Sequence, residues 1–129
     1  QVIRMLLAGV FDRYAKLQVI SGHWGEMAPF FLQRLEDSIP QEASGLARPI
    51  VQTYREHVYV SPSGMLTAPH FQFILDVMGA DRILYSIDYP YQSLDGARAF
   101  IEGLPISDDD KRKIAYRNAE RLFGLAALA

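Results

Sequence analysis

Two short apolar runs in this sequence end in residues that bind metals or move protons. Leu17-Gln18-Val19-Ile20 leads into Gly22-His23-Trp24-Gly25-Glu26, and Arg82-Ile83-Leu84-Tyr85 leads into Ser86-Ile87-Asp88-Tyr89-Pro90. An imidazole changes charge near neutral pH, and a carboxylate three residues on, Glu26, can accept a hydrogen bond from one ring nitrogen and fix the tautomer that the other presents to a ligand. The same spacing also suits a histidine that only satisfies backbone carbonyls at a strand end. Asp88 leaves an otherwise apolar run, where a carboxylate is costly unless it is paired, metal-bound or at an open rim. Its other reading is a cap for the segment after Pro90. Tyr85, Tyr89 and Tyr91 cluster around Asp88 and could wall a planar substrate, with ordinary packing the default for Tyr85.

Other candidates carry less. Ser61 and Ser63 sit at the same strand-end rim, but no His or Asp stands at a spacing that marks a nucleophile, and Ser61-Pro62-Ser63-Gly64 is above all a turn that can hydrogen-bond a substrate. His57 begins a strand and is expected on the opposite rim. His70 lies within a helix after Pro69, and both are expected to be surface or helix-stabilising residues rather than catalytic ones. There is no Gly-x-Gly-x-x-Gly and no phosphate loop, so nucleotide binding has no support.

The elements that must position these residues follow from periodicity. Val2, Ile3, Met5, Leu6, Leu7, Val10 and Phe11 predict a helix ending near Tyr14-Ala15-Lys16. Leu17–Ser21 reads as a strand, followed by a sharp turn through Gly22 and Gly25 and a helix opened by Met27, with Pro29 in its first turn. Residues Asp37–Leu46 read as a loop, about Ala47–Arg55 as a helix, His57–Val60 as a strand, Ala68–Met78 as a helix stopped by Gly79, and Arg82–Ile87 as a third strand. Asp95–Ile101 makes a further helix. Ser107 then caps a last one, whose first turn is Asp108-Asp109-Asp110 and which runs to Phe123 and Gly124. Strands alternating with helices must be parallel with right-handed crossovers, and in such folds the carboxyl ends of the strands line one rim where sites are built. His23 and Asp88 are therefore expected to face one pocket.

Bulk properties narrow the partners. The 129 residues are 50% hydrophobic and 22% charged, with a net charge of -2 and no cysteine. That is a globular composition with no basic stripe for nucleic acid or an anionic membrane and no thiolate for a metal, so a metal would need His and carboxylate ligands. No apolar run approaches a bilayer span and no signal peptide is legible, so a cytoplasmic protein is expected. Gln1 enters an amphipathic pattern without a capping residue, and three strands leave two open edges and an uncovered apolar sheet; both suggest a portion of a longer chain.

Five landmarks run in order along the chain: Val10-Phe11-Asp12-Arg13-Tyr14-Ala15-Lys16-Leu17, Gly22 to Phe30, Val60-Ser61-Pro62-Ser63-Gly64, Asp81 to Pro90, and Asn118-Ala119-Glu120-Arg121-Leu122-Phe123-Gly124-Leu125. In these the sequence resembles the C-terminal part of the metal-dependent amidohydrolase superfamily, in the branch of aromatic-acid decarboxylases that includes γ-resorcylate decarboxylase and aminocarboxymuconate-semialdehyde decarboxylase. The resemblance implies an α/β fold in which residues 1–129 are the C-terminal portion of a single (β/α)8 TIM barrel, about strands six to eight with their helices. It implies that Asp88 ends strand eight, binds a divalent metal (Zn or Mn) and takes part in proton transfer. By the same implication His23 is the active-site histidine after strand six, Glu26 the acid that supports it, and Tyr91 an aromatic residue against the substrate ring. The family's remaining metal ligands, an N-terminal Glu-x-His or His-x-His motif and a histidine after strand five, are absent from these residues, and one carboxylate cannot hold a catalytic metal that wants about three protein ligands. The implied activity is non-oxidative decarboxylation of an aromatic or unsaturated carboxylic acid. Alternatives are a metal-dependent hydrolase of the same superfamily and a non-catalytic barrel remnant that pairs its edges with a partner chain. The expected partner is a small carboxylic acid, with the full-length protein a homo-oligomer.

Overall fold

The computed structural model describes residues 1–125; the last four residues of the expected domain, 126–129, lie outside the described part. Two parallel strands, β1 (Val19–Ser21) and β2 (Val58–Val60), pair in the register Val19 to Val58, Ile20 to Tyr59 and Ser21 to Val60. A parallel pair needs a crossover. Here α3 (Ala28–Ser38), the single turn α4 (Gln41–Ser44) and α5 (Ile50–His57) supply it. Of the residues expected as one loop, Asp37–Leu46, Asp37 and Ser38 instead end α3 and Gln41–Ser44 form α4.

The expected third strand is reduced to one bridge, Val60 to Ile83, because both ends of Arg82–Ile87 are claimed by other bonds. Arg82 closes a tight turn over Ala80–Arg82, its N–H donating to Gly79 O at 3.2 Å, and the Tyr85 N–H donates not to a strand but to Ile114 O at 3.1 Å. The Leu84 N–H still reaches Val60 O at 2.9 Å, so the segment runs beside β2 and delivers Asp88 to the same end as His23. The expected crossover helix α6 (Ala68–Met78) forms as read, ending at Gly79 with φ 78°.

The first predicted helix is broken. It forms as α1 (Val2–Leu7) and α2 (Val10–Arg13), separated by Gly9 with φ 68°, a left-handed conformation that glycine adopts at no steric cost. The chain closes through α7 (Ala97–Gly103), α8 (Asp108–Arg112), a widened turn over Lys113–Arg117, and α9 (Asn118–Phe123). Ser107 caps α8 as its sequence position requires, its Oγ accepting from the Asp110 N–H at 3.1 Å. Leu6, Phe11, Leu32, Tyr54, Val58 and Ile83 are among the fully or almost fully buried side chains of the core. All of β2 is buried, so the expected uncovered sheet face is limited to Ile20 on β1, and much of the exposed apolar surface lies instead on helices, at Phe30, Phe31 and Phe73. Among the described residues no helix is long and apolar enough to cross a membrane.

Candidate active site

The turn after β1 is built against its local preferences. His23, Trp24 and Glu26 have φ of 48°, 56° and 56°, with Gly25 between them at 77°, so four consecutive residues take positive φ where side chains other than glycine's are strained. Tertiary bonds hold them there. The Trp24 N–H donates to Ser61 O at 2.8 Å, and its buried indole N–H donates to Met65 O at 2.7 Å. Gly22 is needed for space rather than for its dihedral: a Cβ there would lie 2.9 Å from Ser63 Oγ. A Cβ on Gly25 would come within 2.8 Å of Pro29 and 3.2 Å of the Tyr54 hydroxyl, which packs beneath the turn.

Ser63 at 46° and Asp88 at 65° complete the set of non-glycine residues with positive φ among the described residues. All five stand at one end of the strands. Such strain persists only where the surrounding structure dictates it, and its concentration on one rim makes that rim the candidate site. Hydrogen bonds knit the rim together, with the Gly64 N–H donating to Ser86 O at 3.3 Å and the Ser63 N–H to the Ser86 side-chain Oγ at 3.3 Å.

The sequence candidates meet there. His23 Nδ1 lies 3.4 Å from Glu26 Oε1, and His23 Nε2 lies 3.8 Å from Asp88 Oδ2. One imidazole thus stands between two carboxylates, each on a different ring nitrogen. Neither His23 nor Asp88 is buried, their side chains being 46% and 36% exposed, so both are open to a ligand. Tyr91 is 84% exposed, and its only backbone tie to the site is its N–H donating to Asp88 O at 2.8 Å; the structure does not place its ring against His23 or Glu26. Tyr85 packs as expected, its hydroxyl donating to Ala97 O at 2.5 Å, and burial raises its pKa.

Beside His23 opens a cavity of about 280 Å³ whose polar lining is His23, Glu26 and His70 and whose walls include Trp24, Phe30 and Phe73. His70 was expected to be a surface or helix-stabilising residue. It is exposed, and it also faces the same cavity as the site histidine, a placement that depends on the angle at which α6 packs and has no signature in the local sequence. Beneath the turn, the Tyr54 hydroxyl is buried without a hydrogen-bond partner, and burial pushes its pKa up to about 12.

His57 is corrected in two respects. It ends α5 rather than starting β2, and it is buried rather than on the surface. Its ring stacks on Phe11 with centroids 4.8 Å apart. Arg48 Nη2 donates to Nε2 at 3.1 Å, so the proton is on Nδ1, which donates to Leu17 O at 2.8 Å. Arg48 also pairs with Glu56 and, at 3.6 Å, with Asp12. This histidine ties α5 to the chain entering β1.

A catalytic divalent metal needs about three protein ligands. Among the described residues no group of three or more His, Asp or Glu side chains converges to hold one, so His23 and Asp88 do not by themselves fit a metal centre.

Residues 1–125 match the amidohydrolase family. A γ-resorcylate decarboxylase of Polaromonas sp. strain JS666 is 35% identical over 130 residues, covering 95% of this chain and 39% of that protein. A Staphylococcus aureus protein described as an amidohydrolase superposes with a TM-score of 0.91 at 42% identity, over 96% of this chain and 40% of the other. A dihydroxybenzoic acid decarboxylase of Polaromonas sp. JS666, solved with bound manganese and the inhibitor 2-nitroresorcinol, superposes with a TM-score of 0.85 at 34% identity, over 95% and 38% of the two chains. The chain thus spans about 39% of the length of the curated relatives it matches. Its structural neighbours include decarboxylases of the amidohydrolase fold, which are TIM barrels. With its strand-end rim and its extent of match, the chain belongs to the amidohydrolase family.

Proposed function

We propose that this chain carries the proton-handling part of a carboxy-lyase that removes carbon dioxide from an aromatic or unsaturated carboxylic acid without oxidation. The observation that carries the reading is His23 held between Glu26 and Asp88 at 3.4 and 3.8 Å on the strained rim. Relatives named as decarboxylases of hydroxylated benzoic acids support it. In barrel terms β1, β2 and the Ile83 segment correspond to strands six, seven and eight.

In this reading the bond between the ring carbon and the carboxyl carbon breaks, its electron pair stays on the ring carbon, and carbon dioxide leaves. Asp88, as the carboxylic acid, gives its proton to that carbon. His23 lies 3.8 Å from Asp88 at Nε2 and 3.4 Å from Glu26 at Nδ1, so that charge shifting at Asp88 is met by a polar neighbour. Tyr91, exposed next to Asp88, is the aromatic side chain available to lie against the ring. Asp88 is also the carboxylate placed to ligate a divalent cation, whose remaining ligands would have to come from beyond the described residues.

The test is to incubate the full-length protein with hydroxybenzoic acids and measure carbon dioxide against the ring product. Equimolar carbon dioxide and decarboxylated ring support the reading. Turnover of amide or ester analogues with no carbon dioxide release would assign the same residues to a hydrolase.

A further inference from the structure

We infer that His70 determines substrate specificity, its imidazole contacting a polar substituent of the aromatic acid remote from the carboxyl group that leaves. The inference rests on the decarboxylase reading and adds to it a second recognition point. Asp88 meets His23 at Nε2, whereas the cavity of about 280 Å³ is lined by His23, Glu26 and His70 without Asp88. Because His23 and Glu26 both line this cavity, a substrate whose reacting carbon faces Asp88 extends along His23 into it. Its volume lies just below the roughly 300–1,000 Å³ of sites for larger ligands and suits a single ring.

The walls there are mainly apolar, including Trp24, Phe30 and Phe73. Where a pocket is apolar, the few polar groups set orientation and discrimination. On the side built by α6 that group is His70. Thr67 Oγ1 hydrogen-bonds its Nδ1, which fixes the ring and leaves Nε2 as its remaining polar atom. A ring hydroxyl or oxo group is the chemistry that Nε2 can pair with.

Titration calorimetry on the full-length protein tests this with 2-hydroxybenzoate and 2,4-dihydroxybenzoate, which differ by one hydroxyl remote from the carboxylate. Wild type is expected to bind the dihydroxy acid about tenfold more tightly, the worth of one good hydrogen bond. His70→Phe should remove that preference while leaving the monohydroxy acid within about threefold of wild type, and His70→Gln should restore part of it. Equal affinities in wild type, a preference that survives His70→Phe, or equal weakening of both acids would overturn the inference. The last result would mark His70 as structural. If wild type binds neither acid and releases no carbon dioxide, the decarboxylase reading falls together with it; carbon dioxide release with discrimination unchanged in His70→Phe overturns the inference alone.

Discussion

At the scale of single residues, the site depends on side chains held in backbone conformations they do not prefer. Gly25 at φ 77° is the one residue of its turn suited to its dihedral, and Gly25→Ala adds both that strain and a Cβ 2.8 Å from Pro29. A loss of about 1–3 kcal/mol is expected in urea unfolding, with His23 and Glu26 displaced. Tyr54 gives a pH signature. Its pKa rises from 10 to about 12 in the fold, so the unfolded chain releases the phenolic proton first and stability falls as pH rises from 10 towards 12, by roughly 2–3 kcal/mol in total. Tyr54→Phe removes that fall and also removes a buried hydroxyl without a partner, so the variant is expected to match or exceed wild type at pH 8 and to outlast it at pH 11. Denaturant midpoints across that range check it. That His23 and Asp88 would meet at one rim was legible because each follows an apolar run, and Glu26 was legible from its spacing three residues after His23. The left-handed turn was not, since Trp24 within it is held by the bonds it donates to Ser61 O and Met65 O, about 40 residues away in sequence.

At the scale of elements, local signals gave reliable boundaries where glycine or a cap acts alone, a start at Ser107 and stops at Gly79 and Gly124. They failed where a distant element competes. The apolar run at Arg82–Ile87 has strand periodicity, yet its ladder is cut short because Ile114 takes the Tyr85 N–H. The buried Asn118 then does the anchoring: its Nδ2 donates to Ala80 O and to Ile83 O, each at 2.8 Å, pinning the start of the segment that ends at Asp88. Asn118→Ala leaves the Ile83 carbonyl without that partner in a dry environment and should cost about 2–4 kcal/mol. Thermal unfolding measures it, and Asn118→Asp, which keeps shape but offers no amide donor, should be nearly as damaging. His57 was misplaced for a similar reason, because burial against Phe11 and Arg48 is a property of packing that the strand-like run Val58–Val60 next to it conceals.

At the scale of the whole molecule, the chain matches 95% of itself to 39% of a curated relative, and its open rim holds proton-carrying groups without enough ligands for a metal among the described residues. Glu26 and Asp88 should therefore separate by mutation in the full-length protein, since only Asp88 is placed to ligate a cation. Glu26→Gln should lower turnover without changing metal content, because Glu26 faces His23 Nδ1 and not Asp88; elemental analysis beside the kinetic assay checks both. The most direct test of the central claim is decarboxylation of a hydroxybenzoic acid in deuterium oxide by wild type and by Asp88→Asn. The account predicts that wild type releases carbon dioxide with deuterium at the vacated ring carbon and that Asp88→Asn is slower by about 10² to 10⁴-fold. An Asp88→Asn variant that turns over at the wild-type rate would contradict it.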